Sequence, residues 1–194
     1  MVDRRSVLKI GAVSAMGALV GIGIPSRTPL AARVSSPSLI HGAVFSPQFQ
    51  PAVDFAGELL RRRVLTFSAT NDIAKLWYRD LPSKLSQRRG PIAGLTDRVT
   101  LFCLEELARS MGLRVRYRVD HVIDEYGNVE HSAVGPASLV EATRKLTPKS
   151  KFGREMAVLA SQFELSEPKN TSALKHTGPF SPENKVALVS WVIA

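Results

Sequence analysis

Between residues 39 and 112 the chain repeats one pattern three times: a short apolar run, a polar turn, then apolar residues at helical spacing. The first unit is the run 39–45, the turn 46–50, and a helix face of Ala52, Val53, Phe55, Ala56, Leu59 and Leu60, with Pro51 suited to the first turn. The second is 64–67, then 68–72, then Ile73, Ala74, Leu76, Trp77 and Leu81. The third is 91–95, then Thr96-Asp97, then a long helix expected to bury Val99, Phe102, Cys103, Leu107 and Met111, with Gly112 as its stop. Alternation of this kind predicts an α/β domain whose strands are mainly parallel, because right-handed crossovers put helices on the sheet faces.

The rest of the chain follows a different rule. Residues 114–123 alternate, with Arg114, Arg116, Arg118 and Asp120 on one face and Val115, Tyr117, Val119 and His121 on the other. A strand buried on both sides reads as continuous apolar sequence, so this one is expected half exposed and near a sheet edge. Residues 124–128 form a turn, and 129–134 return as the second strand of a hairpin. Helices are expected over 137–145 and 152–163, a loop over 164–184, and a final apolar strand over 185–193 that inserts into the sheet. The outline resembles doubly wound, Rossmann-like or flavodoxin-like domains with an open sheet, to which a C-terminal β-hairpin and the final strand are added.

The N-terminus reads as an address. Residues 1–9 are basic, 10–24 are apolar but interrupted by Gly11, Gly17, Gly21 and Gly23, and Ala31-Ala32 supply small residues for cleavage. The segment Asp3-Arg4-Arg5-Ser6-Val7-Leu8-Lys9 resembles the twin-arginine (Tat) signal, Ser/Thr-Arg-Arg-x-Phe-Leu-Lys, with Arg4, Arg5, Leu8 and Lys9 matching and Asp3 and Val7 departing. That resemblance implies transient contact with the Tat machinery and export of a folded domain to the periplasm or beyond. An uncleaved signal would instead anchor the chain to the inner membrane. The organisation expected is a signal over 1–32, a polar linker over 33–38, and a single α/β domain over 39–194.

Charge is read against that destination. The formal net charge of +9 includes +3 from residues 1–32 (Arg4, Arg5, Lys9 and Arg27 against Asp3), which leaves +6 for the exported part. An exported protein has little access to nucleic acid, so the surplus points to a protein partner docking on the basic edge of Arg114, Arg116 and Arg118. The lone Cys103 excludes an internal disulfide and four-cysteine metal sites, and is expected as a small buried hydrophobe.

In an open parallel sheet, ligands bind outside the C-terminal strand ends. There the turns offer Ser46 and Gln48; Ser68, Thr70 and Asn71; and Thr96 followed by Arg98. Short polar side chains and free helix N–H groups suit a small anionic ligand, although the same residues are what helix caps require. No Gly-x-Gly-x-x-Gly, Walker-type or Gly-x-Ser-x-Gly pattern occurs. A second constellation is the hairpin. With its turn at Tyr126-Gly127, residues whose numbers sum to roughly 252–254 face each other, which sets His121 against His131 as candidate metal ligands. Three functions therefore stay open: binding of a small anionic ligand, service as an accessory subunit of a larger Tat-exported complex, and metal-dependent catalysis. No cofactor is specified by the sequence.

Overall fold

The computed structural model describes residues 39–69, 72–85, 90–146, 151–165, 171–174 and 186–194, all within the compact unit Ser35–Ala194. The signal residues Arg4, Arg5, Leu8 and Lys9, the linker 33–38, and Thr70 and Asn71 lie outside the described residues. Among the described residues no helix is long and apolar enough to cross a membrane.

The elements run β1 (Gly42–Phe45), α1 (Gln50–Arg61), β2 (Leu65–Ser68), α2 (Ile73–Lys75), a π-helical turn (Leu76–Asp80), α3 (Leu81–Leu85), β3 (Ile92–Asp97) and α4 (Arg98–Ser110). Then follow β4 (Val115–Ile123), β5 (Val129–Pro136), α5 (Ala137–Thr143), α6 (Phe152–Ser161), β6 (Thr171–Leu174) and β7 (Val186–Ile193). The strands form one seven-stranded sheet in the order β2-β1-β3-β7-β4-β5-β6.

The protein is α/β, with a mixed sheet. Among the described residues, parallel pairing is confined to β1 with β2 and with β3. Each of the other four ladders is antiparallel, so the expectation of a mainly parallel sheet holds only for the first three strands. The difference comes from β7. It inserts between β3 and β4, as an apolar C-terminal strand should, but runs against both. β6 was not expected; it lies within the segment 164–184 and pairs at the outer edge of β5.

Both sheet faces are covered. On one, Phe55 and Leu59 of α1, Leu139 of α5, and Phe152 and Met156 of α6 pack against Ala43, Leu95, Tyr117, Val119 and Leu188. On the other, Leu76 and Trp77, with Leu101, Leu104 and Ala108 of α4, pack against Val44, Phe67, Val189 and Trp191. Period-two alternation assigns neighbouring strand residues to opposite layers. A bulge between Val115 and Tyr117 breaks that alternation. Val115 consequently packs with the α4 layer while Tyr117 and Val119 pack with the α6 layer, not all three together as the sequence pattern suggests.

Two further expectations are corrected. β4 is no edge strand; it lies inside the sheet between β7 and β5, and β2 and β6 are the edges. Its arginines are partly exposed: α4 packs on β3 and β7, and among the described residues the core on the α4 side contains no residue of β5. In α4 the buried side is Thr100, Leu101, Leu104 and Ala108, while Val99, Phe102 and Met111 are exposed and Cys103 is half-buried. Apolar residues occur on both sides of this helix, and packing of Leu101, Leu104 and Ala108 into the core decides which side turns inward.

Candidate functional site

α1 leaves β1 on one face of the sheet and α4 leaves β3 on the other, so the switch-point crevice lies between the ends of β1 and β3. That crevice is occupied by protein side chains. Ser46, fully buried at the end of β1, donates its hydroxyl to Asp97 Oδ2 at 3.0 Å. Asp97 also accepts from the Thr100 backbone N–H at 2.8 Å and the Thr100 hydroxyl at 2.9 Å, and so caps α4. Burial pushes the Asp97 carboxyl up, but bonds from Thr100, Ser46 and its own backbone N–H outweigh it and hold the group below the usual range. An ionised carboxylate therefore already occupies the helix start where an anion was expected.

Among the described residues, the other expected ligand-binding residues do not converge. Thr96 and Asp97, expected as a turn, continue β3, and the fully buried Thr96 accepts a hydrogen bond from Trp191 Nε1 at 3.0 Å inside the core. Arg98 turns to Asp120, 3.3 Å away. Asp120 in turn receives both Nε and a terminal nitrogen of Arg118 at 2.9 Å. Gln48 and Ser68 are exposed at their loop and strand end. Of the basic trio, Arg114 donates to the carbonyls of Arg109 and Leu113, Arg116 is exposed, and Arg118 is held by Asp120.

The hairpin histidines do meet. His121 and His131 are direct partners across the β4–β5 ladder, at the register the turn implies. Their Nδ1 atoms stand 2.7 Å apart, and His121 Nε2 is 2.7 Å from Ser190 Oγ on β7. Phe152 of α6 stacks on the His121 ring at 4.3 Å. His121 is wholly buried; burial first, and the neighbouring His131 second, hold it well below the ordinary imidazole value. If Ser190 donates to Nε2, Nδ1–H of His121 donates to His131; in the reverse arrangement His131 Nδ1–H donates to His121 and His121 Nε2–H donates to Ser190.

This geometry is a hydrogen-bonded pair and not a ligand set. A tetrahedral zinc ion about 2.0–2.1 Å from each nitrogen would hold them more than about 3 Å apart. The nearby carboxylates are directed elsewhere: Asp120 to the arginines, and Asp124 to the backbone N–H groups of Tyr126 and Asn128 in the turn. Among the described residues no group of three or more His, Cys, Asp and Glu side chains could hold a metal ion. Nor does the Ser190–His121 contact make a nucleophile, since Ser190 is only 2% exposed beneath the helical layer.

Asp97, Ser190 and Phe152 are among the network residues that the sequence does not single out. Asp97 had a signal, an acid directly ahead of a helix. Ser190 had one too, as the single polar residue in Val186–Ile193. Phe152 had none beyond its apolar character. Comparisons with protein-family models, with curated proteins and with solved structures find no match for this chain.

Proposed function

We propose that this chain is a small exported α/β protein that works as an accessory or partner subunit of a larger exported complex. The Tat-like residues 1–32 support delivery of the folded domain to the periplasm or beyond, or retention at the inner membrane if the signal stays attached. The strands β2-β1-β3, with α1 on one face and α2 to α4 on the other, are read as a doubly wound unit extended by the hairpin and the final strand.

One observation carries the partner reading. Val99 and Phe102 of α4 remain 73% and 63% exposed, although ample apolar residues of the same helix are buried. Water-exposed aromatic and β-branched side chains on one helix face are what a contact surface leaves uncovered. The test is native mass spectrometry of the full chain isolated from the exported fraction of its own cells. A stoichiometric complex with a second folded protein is expected; a free monomer throughout would contradict it.

A second reading, a small anionic ligand at the strand C-terminal loops, is favoured by one feature. α1 begins without a side-chain cap, with exposed Gln48 just before it. Calorimetric titration with inorganic phosphate and with a small dicarboxylate tests it, and no heat above dilution would dismiss it.

A further inference from the structure

We infer that His121 and His131 form a pH-operated latch on the start of α6: in neutral surroundings His131 bonds inward to His121 beneath Phe152, and in acid it turns out to water and releases that helix end. The inference stands apart from the accessory-subunit reading.

The proton count at the pair sets its behaviour. The two Nδ1 atoms, 2.7 Å apart, leave room for one hydrogen between them, so one ring donates and the other accepts. One added proton keeps this contact. With His131 charged, its Nδ1–H donates to His121, and His121 Nε2–H donates to Ser190 Oγ, 2.7 Å away. A second added proton breaks it, because two N–H donors would then face each other at bonding distance. His121 is held by Ser190, by full burial and by the Phe152 ring stacked at 4.3 Å. His131 is half-buried and meets the Phe152 ring edge-on, at 5.4 Å, so it is the ring that parts. Its departure opens the space beneath Phe152 to the water that a charged His121 needs.

The charges around the pair add to this. Phe152 is the first residue of α6, so the positive end of the helix dipole stands over the two rings. In the same turn exposed Arg154 and half-buried Glu155 offset each other in charge, and Lys151 just ahead is exposed. In the same helical layer Glu141 pairs with Arg144 on α5, and Glu58 with Arg61 and Arg62 on α1. Strand β7 contains no ionisable side chain. Asp120 and Glu130, next to the histidines in β4 and β5, alternate to the other side of the sheet, where Asp120 binds Arg98 and Arg118. Tyr117, on the histidine side of β4, bonds Thr143 at 2.6 Å, and burial pushes its hydroxyl up to about 12, so it stays neutral throughout. Burial first, and His131 second, hold His121 well below the ordinary imidazole value, which places the second charge in acid.

Hydrogen exchange of the full chain, read as protection relative to the intrinsic rate at each pH, tests the latch at about pH 7.5 and about pH 5. The amides of α6, Phe152–Ser161, should lose protection about tenfold or more in acid, and those of β3 and α4 less than about twofold, with full recovery on return to neutral. His131→Gln puts a non-titrating amide at the pair, so the loss in α6 should shrink to less than about twofold. In wild type, ring nitrogen shifts should show both imidazoles charged over the pH interval in which α6 opens, a reading that needs no variant. Loss of protection spread evenly over every element would overturn the latch in favour of global acid unfolding. The latch is equally overturned by an α6 that stays protected while both rings carry charge, or by a loss that persists in folded His131→Gln.

Discussion

His121 lies directly opposite His131 across the β4–β5 ladder, with their Nδ1 atoms 2.7 Å apart beneath the ring of Phe152. A buried imidazole pair of this kind makes folding sensitive to pH. Because burial and then His131 hold His121 well below 6.5, the unfolded chain binds a proton that the folded chain refuses in that interval. Stability is therefore full above pH 6.5 and falls as pH drops from 6.5 toward the lower folded value, by up to about 1.4 kcal/mol per unit. Urea unfolding at about pH 8 and about pH 5.5 reads it directly. His121→Phe should flatten the dependence, and a wild-type curve already as flat as the variant's would contradict the account.

Ser190 completes the same chain of hydrogen bonds. Ser190→Ala leaves a buried imidazole nitrogen without its hydroxyl, which should cost about 1–3 kcal/mol of unfolding free energy. A loss below about 0.5 kcal/mol, the size of an ordinary surface change, would mean the contact contributes nothing.

Asp97 ties the end of β3, the end of β1 and the start of α4 together. Asp97→Ala removes the cap and releases Ser46, and should cost about 2 kcal/mol, with Asp97→Asn milder. Since its carboxyl is held below the ordinary aspartate value of 3.8, its contribution is present above that pH and disappears as pH falls below it. Acid titration of stability should therefore show a step in wild type that Asp97→Asn lacks.

Two glycines should respond with opposite sign. At Gly94 of β3 an added Cβ would run into the Trp191 indole ring, so Gly94→Ala should destabilise by about 1–3 kcal/mol. At Gly57, inside α1, nothing lies within 4 Å of such an atom. Gly57→Ala should stabilise by about 0.5–1 kcal/mol, because alanine loses less backbone entropy in a helix. Thermal midpoints of the two variants check both.

Much of this fold is legible from patterning, and the exceptions have local causes. Turn residues and period-two alternation locate the hairpin and even its register, because a short turn leaves few ways to pair. The insertion of β7 follows from its unbroken apolar run, yet its direction does not, since a strand buried on both faces carries no mark of parallel or antiparallel pairing. β6 escapes because four residues in a Pro-, Ser- and Thr-rich setting have no period to read. The inward face of α4 is misassigned because Leu101, Leu104 and Ala108 compete with Val99, Phe102 and Cys103, and only tertiary packing chooses between them. At the site, residue types were legible and partners were not. Ser46 and Thr96 read equally well as ligand donors or as internal bonds, and the chain uses them internally.

The accessory-subunit account turns on the uncovered side of α4. Its most direct measurement is the native mass of the chain isolated from the exported fraction, taken for wild type and for Phe102→Asp at equal stability. Wild type should carry a folded partner in fixed stoichiometry, and the variant should run as the bare chain. A wild-type protein that runs alone under the same conditions would contradict the account.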